Sequence, residues 1–197
     1  VTSANDSAPV ITSGNTASVA ENATAVMTVT ATDADQPAQT LTYSISGGAD
    51  AAHFQIDGAT GALSFLSAPD FEAPTDAGGN NVYDVTVQVS DGQGGTDTQA
   101  IAVTVTSAND SAPVITSGNT ASVAENTTAV MTVTATDADQ PAQTLTYSIS
   151  GGADAARFQI DANTGVLSFL TAPDFEAPTD AGGNNVYDVT VQVSDGQ

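Results

Sequence analysis

The sequence predicts an all-β chain of tandem immunoglobulin-like Greek-key sandwiches, and three observations carry that prediction,. One is an internal repeat: Asp6-Ser7-Ala8-Pro9-Val10 recurs as Asp110-Ser111-Ala112-Pro113-Val114, an offset of 104 residues,. Another is the alternation of apolar, β-branched residues with polar ones at period two, the mark of half-buried antiparallel strands,. The last is a regular supply of turn residues between those runs, with no segment of helical period,.

Along the chain, Met27, Val29 and Ala31 alternate with Thr28, Thr30 and Thr32, and Leu41, Tyr43 and Ile45 with Thr42 and Ser44. Tyr83, Val85, Val87 and Val89 alternate with Asp84, Thr86, Gln88 and Ser90; Ile101, Val103 and Val105 follow the same rule. Ser46-Gly47-Gly48, Thr60-Gly61, Gly78-Gly79-Asn80-Asn81 and Asp91-Gly92 mark turns,. Residues 6–93 and 110–197 align as 88 pairs that differ only at Ala23/Thr127, His53/Arg157, Gly58/Ala162, Ala59/Asn163, Ala62/Val166 and Ser67/Thr171. The expected organisation is a tail of a preceding repeat at 1–5, one repeat at 6–109 and a second at 110–197. The second lacks everything matching residues 94–109, its last strand included, and is expected to expose a strand edge,.

The chain carries 23 acidic residues against one Arg, one His and no Lys, a net charge of −22. Arg157 as the one fixed positive charge speaks against nucleic acid and against an anionic membrane surface as partners,. A hydrophobic content of 40% with regular alternation speaks against disorder,. Without Cys there are no disulfides and no thiolate zinc site,. No apolar run is long enough to insert into a membrane, and no basic stretch precedes an apolar one as in a signal peptide; a signal for export is expected outside this sequence,. His53 becomes Arg157 in the sister repeat, and neither a Ser/His/Asp set nor a phosphate loop occurs, so no enzyme is expected.

The carboxylates gather in short motifs: Glu21 and Glu125, Asp70-Phe71-Glu72 and Asp174-Phe175-Glu176, Asp33-Ala34-Asp35 and Asp137-Ala138-Asp139, Asp91 and Asp195, and Asn109-Asp110. Acids two apart on an extended segment stand about 6.5–7 Å apart on one side, where they repel unless a cation neutralises them. Ca²⁺, which takes six to eight oxygen ligands, suits such loops. The remaining acids, among them Asp50, Asp57, Asp76, Asp84 and Asp97, read as ordinary surface charge.

Each unit resembles a cadherin-like repeat along its full length. Phe54-Gln55-Ile56-Asp57 with Thr60-Gly61-Ala62-Leu63 resembles F-x-I-D-x-x-T-G-x-I, and Asp70-Phe71-Glu72 resembles L-D-R-E. The strand ending at Asp91 resembles one ending in A-x-D, and Asn109-Asp110-Ser111-Ala112-Pro113 resembles the D-x-N-D-N-x-P linker. The near-identical, Ala/Thr/Gly-rich wording resembles the bacterial branch, found in repetitive biofilm adhesins and RTX-type proteins. The resemblance implies one complete Ca²⁺ junction made by Glu21, Asp70, Glu72, Asn109, Asp110, Asp137, Asp139 and Asp195. It also implies two half-sites: Asn5, Asp6, Asp33, Asp35 and Asp91 upstream, and Glu125, Asp174 and Glu176 downstream. Ser107 stands where the family linker has its first Asp, so the junction is expected to hold two or three ions. The implied role is a calcium-rigidified extender at the cell surface, whose partners are adjacent repeats held through Ca²⁺. The alternative is a ligand-binding module, homophilic or directed to surface or matrix polysaccharide.

Overall fold

A computed structural model describes residues 5–197. Residues 1–4, most of the expected tail of a preceding repeat, lie outside the described residues. The chain divides into two compact units, Val1–Ala108 and Asn109–Gln197.

The first unit contains β1 (Val10–Ile11), β2 (Thr16–Ala20), β3 (Ala25–Thr28), β4 (Ala31–Thr32), β5 (Thr42–Gly47), β6 (Phe54–Ile56), β7 (Ala62–Phe65), β8 (Val82–Ser90) and β9 (Thr96–Thr106). A single 3-10 turn, Ala51–His53, precedes β6. One sheet has the order β2-β9-β8-β5, the other β3-β7-β6, and β1 pairs with β4 alone. All ladders are antiparallel except β2–β9, which runs parallel from Thr16↔Ala102 to Ala20↔Thr106. The period-two pattern had suggested antiparallel pairs throughout. A unit whose chain enters at one pole and leaves at the other has first and last strands running the same way, so those two pair only in parallel. The Met27–Ala31 alternation is also broken into β3 and β4, with an irregular register between Ala25 and Met27 opposite β7.

Alternation becomes burial directly. Tyr83, Val85, Val87 and Val89 on β8 and Ile101, Val103 and Val105 on β9 are at most 1% exposed. All but Val89 close over Val19, Val29, Leu63 and the stacked rings of Phe54 and Phe65, whose centroids are 4.5 Å apart. Tyr83 meets Phe65 edge-on at 5.2 Å, a favoured aromatic arrangement,. Its hydroxyl accepts from the Thr75 N–H at 3.2 Å, so the buried phenol is not left unpaired,. Gly61 adopts φ +73°, and a Cβ there would run into the Val29 carbonyl oxygen, so only glycine fits this approach,.

Several acids expected to serve as surface charge are structural instead. Asp50 is buried and accepts from the Ala77 N–H at 2.7 Å and the Asp84 N–H at 2.8 Å. Asp76, also buried, accepts from the N–H groups of Asn80 and Asn81 at 3.0 Å each. Asp154 and Asp180 repeat both arrangements. The long loop between β7 and β8, and its counterpart 104 residues on, thus carry their own acceptors for backbone N–H groups that have no strand partner. Asp57 accepts from Ala59 and Thr60 in an Asx turn, and Asp97 accepts from Ile11. Asp84 alone of the five in the first unit is exposed without such a role among the described contacts.

The second unit contains β10 (Val114–Ile115), β11 (Ala129–Thr132), β12 (Ala135–Thr136), β13 (Thr146–Gly151), β14 (Phe158–Ile160), β15 (Val166–Phe169) and β16 (Thr190–Ser194), with a 3-10 turn at Ala155–Arg157. The β11-β15-β14 sheet keeps the register of β3-β7-β6. The other sheet is reduced to β13-β16. Residues 120–124, equivalent to β2, form no strand, because the strand that would pair with them has no counterpart in the sequence. The edge strand expected from the sequence is the outer side of β16.

Candidate metal centre

In the second unit, Asp137, Asp139 and Asp195 present carboxylate oxygens within 4.8 Å of one another. The turn after β12 supplies the first two and the end of β16 the third. The Asp139 N–H folds back onto Asp137 Oδ1 at 3.0 Å, which holds the two acids on one turn. Asp139 is 0% exposed and accepts from the Ser111 N–H at 3.2 Å. Burial pushes its carboxyl up, but hydrogen bonds from Ser111, Gln143 and Asp110 outweigh it and hold it below the ordinary value of 3.8, so Asp139 is kept ionised,. With its amide oriented to satisfy its neighbours, Asn109 donates to Asp139 Oδ2 at 2.7 Å and to Asp195 Oδ2 at 3.0 Å,.

Two oxygens in this unit fit a cation directly. Asp137 Oδ2 and Gln143 Oε1 are buried and have no hydrogen-bond partner. Burying an acceptor without a donor is costly, and the other amide atom of Gln143, Nε2, faces Asp139 Oδ2 at 3.4 Å,. The donor set is all oxygen and carries three negative charges, which suits Ca²⁺ rather than a soft metal. Gln143 was not among the residues expected from the sequence. Its recurrence as Gln39 could not single it out, because almost every residue here recurs.

The upstream residues of the first unit repeat the hydrogen bonds of this turn, but Asp33, Asp35 and Asp91 do not converge within 4.8 Å as the second unit's three acids do. The N–H groups of Asp6 and Ser7 donate to Asp35 Oδ2 at 3.1 and 3.0 Å, and the Asp35 N–H to Asp33 Oδ1 at 2.9 Å. Asn5 donates to Asp91 Oδ2 at 3.3 Å, and Gln39 to Asn5 Oδ1 at 2.7 Å. Asp33 Oδ2 and Gln39 Oε1 are again buried without partners. Asp91 lies below the ordinary carboxylate value through its hydrogen bond from the Gln93 N–H, against the opposing effect of burial.

At the far end of each unit stands the Glu group. Glu21 is buried, accepting from Phe71 N–H at 2.8 Å and from the Ala108 N–H, and its carboxylate lies within 4.8 Å of Glu72. Asp70 Oδ1 caps the adjoining turn through the Glu72 and Ala73 N–H groups, both at 3.0 Å. In the second unit Glu125, Asp174 and Glu176 also converge within 4.8 Å, but all three are exposed. Of the residues expected at the complete junction, Glu21, Asp70 and Glu72 belong to the first unit, and Asn109, Asp110, Asp137, Asp139 and Asp195 to the second.

Comparison with known proteins agrees with this architecture. The cadherin domain family matches residues 15–106 and 119–197. Human protocadherin Fat 1 is 34% identical over 164 residues, covering 79% of this chain and 3% of that protein. Mouse cadherin-23 is 34% identical over 188 residues, covering 87% of this chain and 5% of that protein. The chain therefore spans a small part of the curated relatives it matches. The crystal structure of mouse cadherin-23 EC22-24 superposes with a TM-score of 0.66 at 26% identity, covering 99% of this chain and 61% of that one. That of human protocadherin-24 EC1-2 (form II) gives 0.71 at 24% identity, with 96% and 88% covered, a likeness of fold. Two tandem sandwiches, each with acidic groups at its poles, belong to the cadherin family.

Proposed function

We propose that the chain is a calcium-rigidified extender of an extracellular bacterial adhesin, with Ca²⁺ held where one repeat passes into the next. The observation that carries this reading is the Asp137–Asp139–Asp195 cluster with the partnerless buried oxygens of Asp137 and Gln143 in the same unit. In this reading Glu21, Asp70 and Glu72 join Asn109, Asp110, Asp137, Asp139 and Asp195 around two or three ions. Seven of those eight are carboxylates, so the ions offset most of the charge they face,. Without Ca²⁺ the like charges repel and the linker is free to bend; with it, ligands from both repeats fix the angle. Near-identity of the repeats supports a spacer, since each unit then does the same work. The cation also stabilises the folded units, because the unfolded chain offers no assembled site.

The test is small-angle scattering of this chain with Ca²⁺ and with chelator, beside calorimetric titration with Ca²⁺. The expected result is saturable binding of two or three ions and a change in maximum dimension on chelation. Titration heats no larger than buffer dilution, with unchanged scattering, would sink the proposal.

A further inference from the structure

The Asp70–Phe71–Glu72 turn is held from both sides. The Phe71 N–H donates to Glu21 Oε2 at 2.8 Å, and the Phe71 carbonyl accepts from Asn81 Nδ2 at 2.9 Å. Asn81 ends the loop before β8 and is itself fixed. Its N–H donates to Oδ1 of the buried Asp76 at 3.0 Å, and its carbonyl accepts from the Val105 N–H at 2.8 Å. Its φ is +61°, a left-handed conformation that suits Gly and, among residues with a side chain, Asn and Asp,. Gly has no amide to donate, and an ionised Asp only accepts. Of the three, Asn alone meets both demands. Asn81 Oδ1 is buried without a partner, so the NH₂ is the group that orients this amide. The same bonds recur in the second unit. Asn185, at φ +63°, donates to the Phe175 carbonyl at 3.0 Å, and the Phe175 N–H donates to Glu125 Oε2 at 3.1 Å. No counterpart of β9 takes part there, so the loop makes these bonds by itself.

We propose, on the reading that Ca²⁺ binds at the exit of a repeat, that Asn81 is a positioning residue for the carboxylates there, as Asn185 is in the second unit. Its side-chain amide anchors the peptide between Asp70 and Glu72 and so sets where those two acids stand. Asp70 Oδ1 accepts from the Glu72 and Ala73 N–H groups, both at 3.0 Å, so the two acids move as one turn with the Phe71 peptide. Glu21 is tied to that peptide too, so a single amide secures all three carboxylates. The buried acids of the loop thereby reach the metal site without touching it. Asp50 and Asp76 fix the loop, the loop presents Asn81, and Asn81 holds the turn. Partners that orient ligands in this way change metal affinity by about 10- to 100-fold when removed.

The experiment compares the 197-residue chain with its Asn81→Gly variant, which keeps the backbone conformation and removes the amide,. In chelator, hydrogen exchange at the amides of Phe71, Glu72 and Ala73 should quicken about tenfold, while the amides of Val85, Val87 and Val89 stay as protected as before. Calorimetric titration should show Ca²⁺ bound about 10- to 100-fold more weakly. Asn81→Asp should lose at least as much, because it turns an oxygen toward the Phe71 carbonyl. Quickened exchange with unchanged Ca²⁺ affinity would make the bond merely structural and overturn the proposal. Weakened binding with unchanged exchange would overturn it as well, since the turn would not be the route. If the unmodified chain bound no Ca²⁺, the calcium reading would fall and this role with it; if it bound Ca²⁺ and the variant matched it, the role of Asn81 alone would fall. One measurement needs no variant to fold: the scalar coupling across the hydrogen bond from Asn81 Nδ2 to the Phe71 carbonyl carbon. It should be present in the unmodified chain, and its absence would equally overturn the proposal.

Discussion

The two units are one sequence in two circumstances. Of 88 aligned pairs, 88 − 6 = 82 are identical, yet the first buries eleven apolar residues in its core cluster and the second four. The four are Val133, Phe158, Leu167 and Phe169, all on or beside the β11-β15-β14 sheet. That sheet is made of strands close in sequence, and its stacked rings keep a 4.5 Å separation in both units. What differs lies where β9 would be. Residues 82–85 of β8 pair only with β9, and their counterparts at 186–189 are not strand. Val19 is buried and Val123 is not; Phe71 packs against its core while Phe175 is 64% exposed. The difference reaches the metal-binding poles. The Ala108 N–H, just past β9, helps enclose Glu21, and Glu125 has no such cover. One strand therefore completes both the core and the carboxylate site at the exit of a repeat.

Breaking the comparison at its source should produce the largest effect. Ile101→Asp places a charge at a fully buried position of β9, and the first unit should lose more than about 4 kcal/mol and come to resemble the second,. Hydrogen exchange at 82–85 would then match that at 186–189; if β8 stayed protected, β9 would not be what holds it. Next in size, Phe65→Ala and Phe169→Ala should each cost about 3–5 kcal/mol, because both rings keep the same stack,. Unfolding of each unit followed by exchange mass spectrometry would check this, and a much smaller cost at Phe169 would show that the local sheet also depends on β9. Smaller again, Glu21→Ala without Ca²⁺ should cost about 1–3 kcal/mol by stranding two backbone N–H groups, and Glu125→Ala close to nothing,. With Ca²⁺ present, both substitutions should weaken binding.

The smallest contrast is in pH dependence, where the units should agree. Backbone hydrogen bonds from Thr60 and Ala59 hold Asp57 below the ordinary carboxylate value, and those from Thr164 and Asn163 do the same for Asp161. A carboxyl lowered on folding contributes stability that is fully present above its unfolded value of 3.8 and is lost as pH falls through the lower folded value,. Acid titration of Asp57→Asn and Asp161→Asn chains should flatten this part of the profile equally in both units. An effect at one position only would separate the two turns.

The strands with clear alternation were legible because each residue's face follows from its neighbours two positions away. Thus Tyr83–Val89 and Ile101–Val105 could be read with their buried sides. β2 could not be read, since Thr-Ala-Ser-Val-Ala alternates weakly and owes its strand to a partner far along the chain. The acid motifs at the poles were visible as spacing and composition. The buried roles of Asp50 and Asp76 were not, because an acceptor that organises a loop has the same letter as a surface acid. Gln143 escaped for a related reason: an amide becomes a candidate ligand only when burial removes its other partners.

The sequence by itself determined the repeat, the alternation that makes strands and the carboxylates that meet at short range, as Asp137 and Asp139 do across one turn. Only the tertiary structure decided which distant segments meet. Thr16 pairs with Ala102, 86 residues away, and without that partner the same residues 104 positions later stay open. Local propensity can dispose a segment to be extended, but a strand's backbone groups and apolar face are satisfied by another strand, and only the fold brings it there.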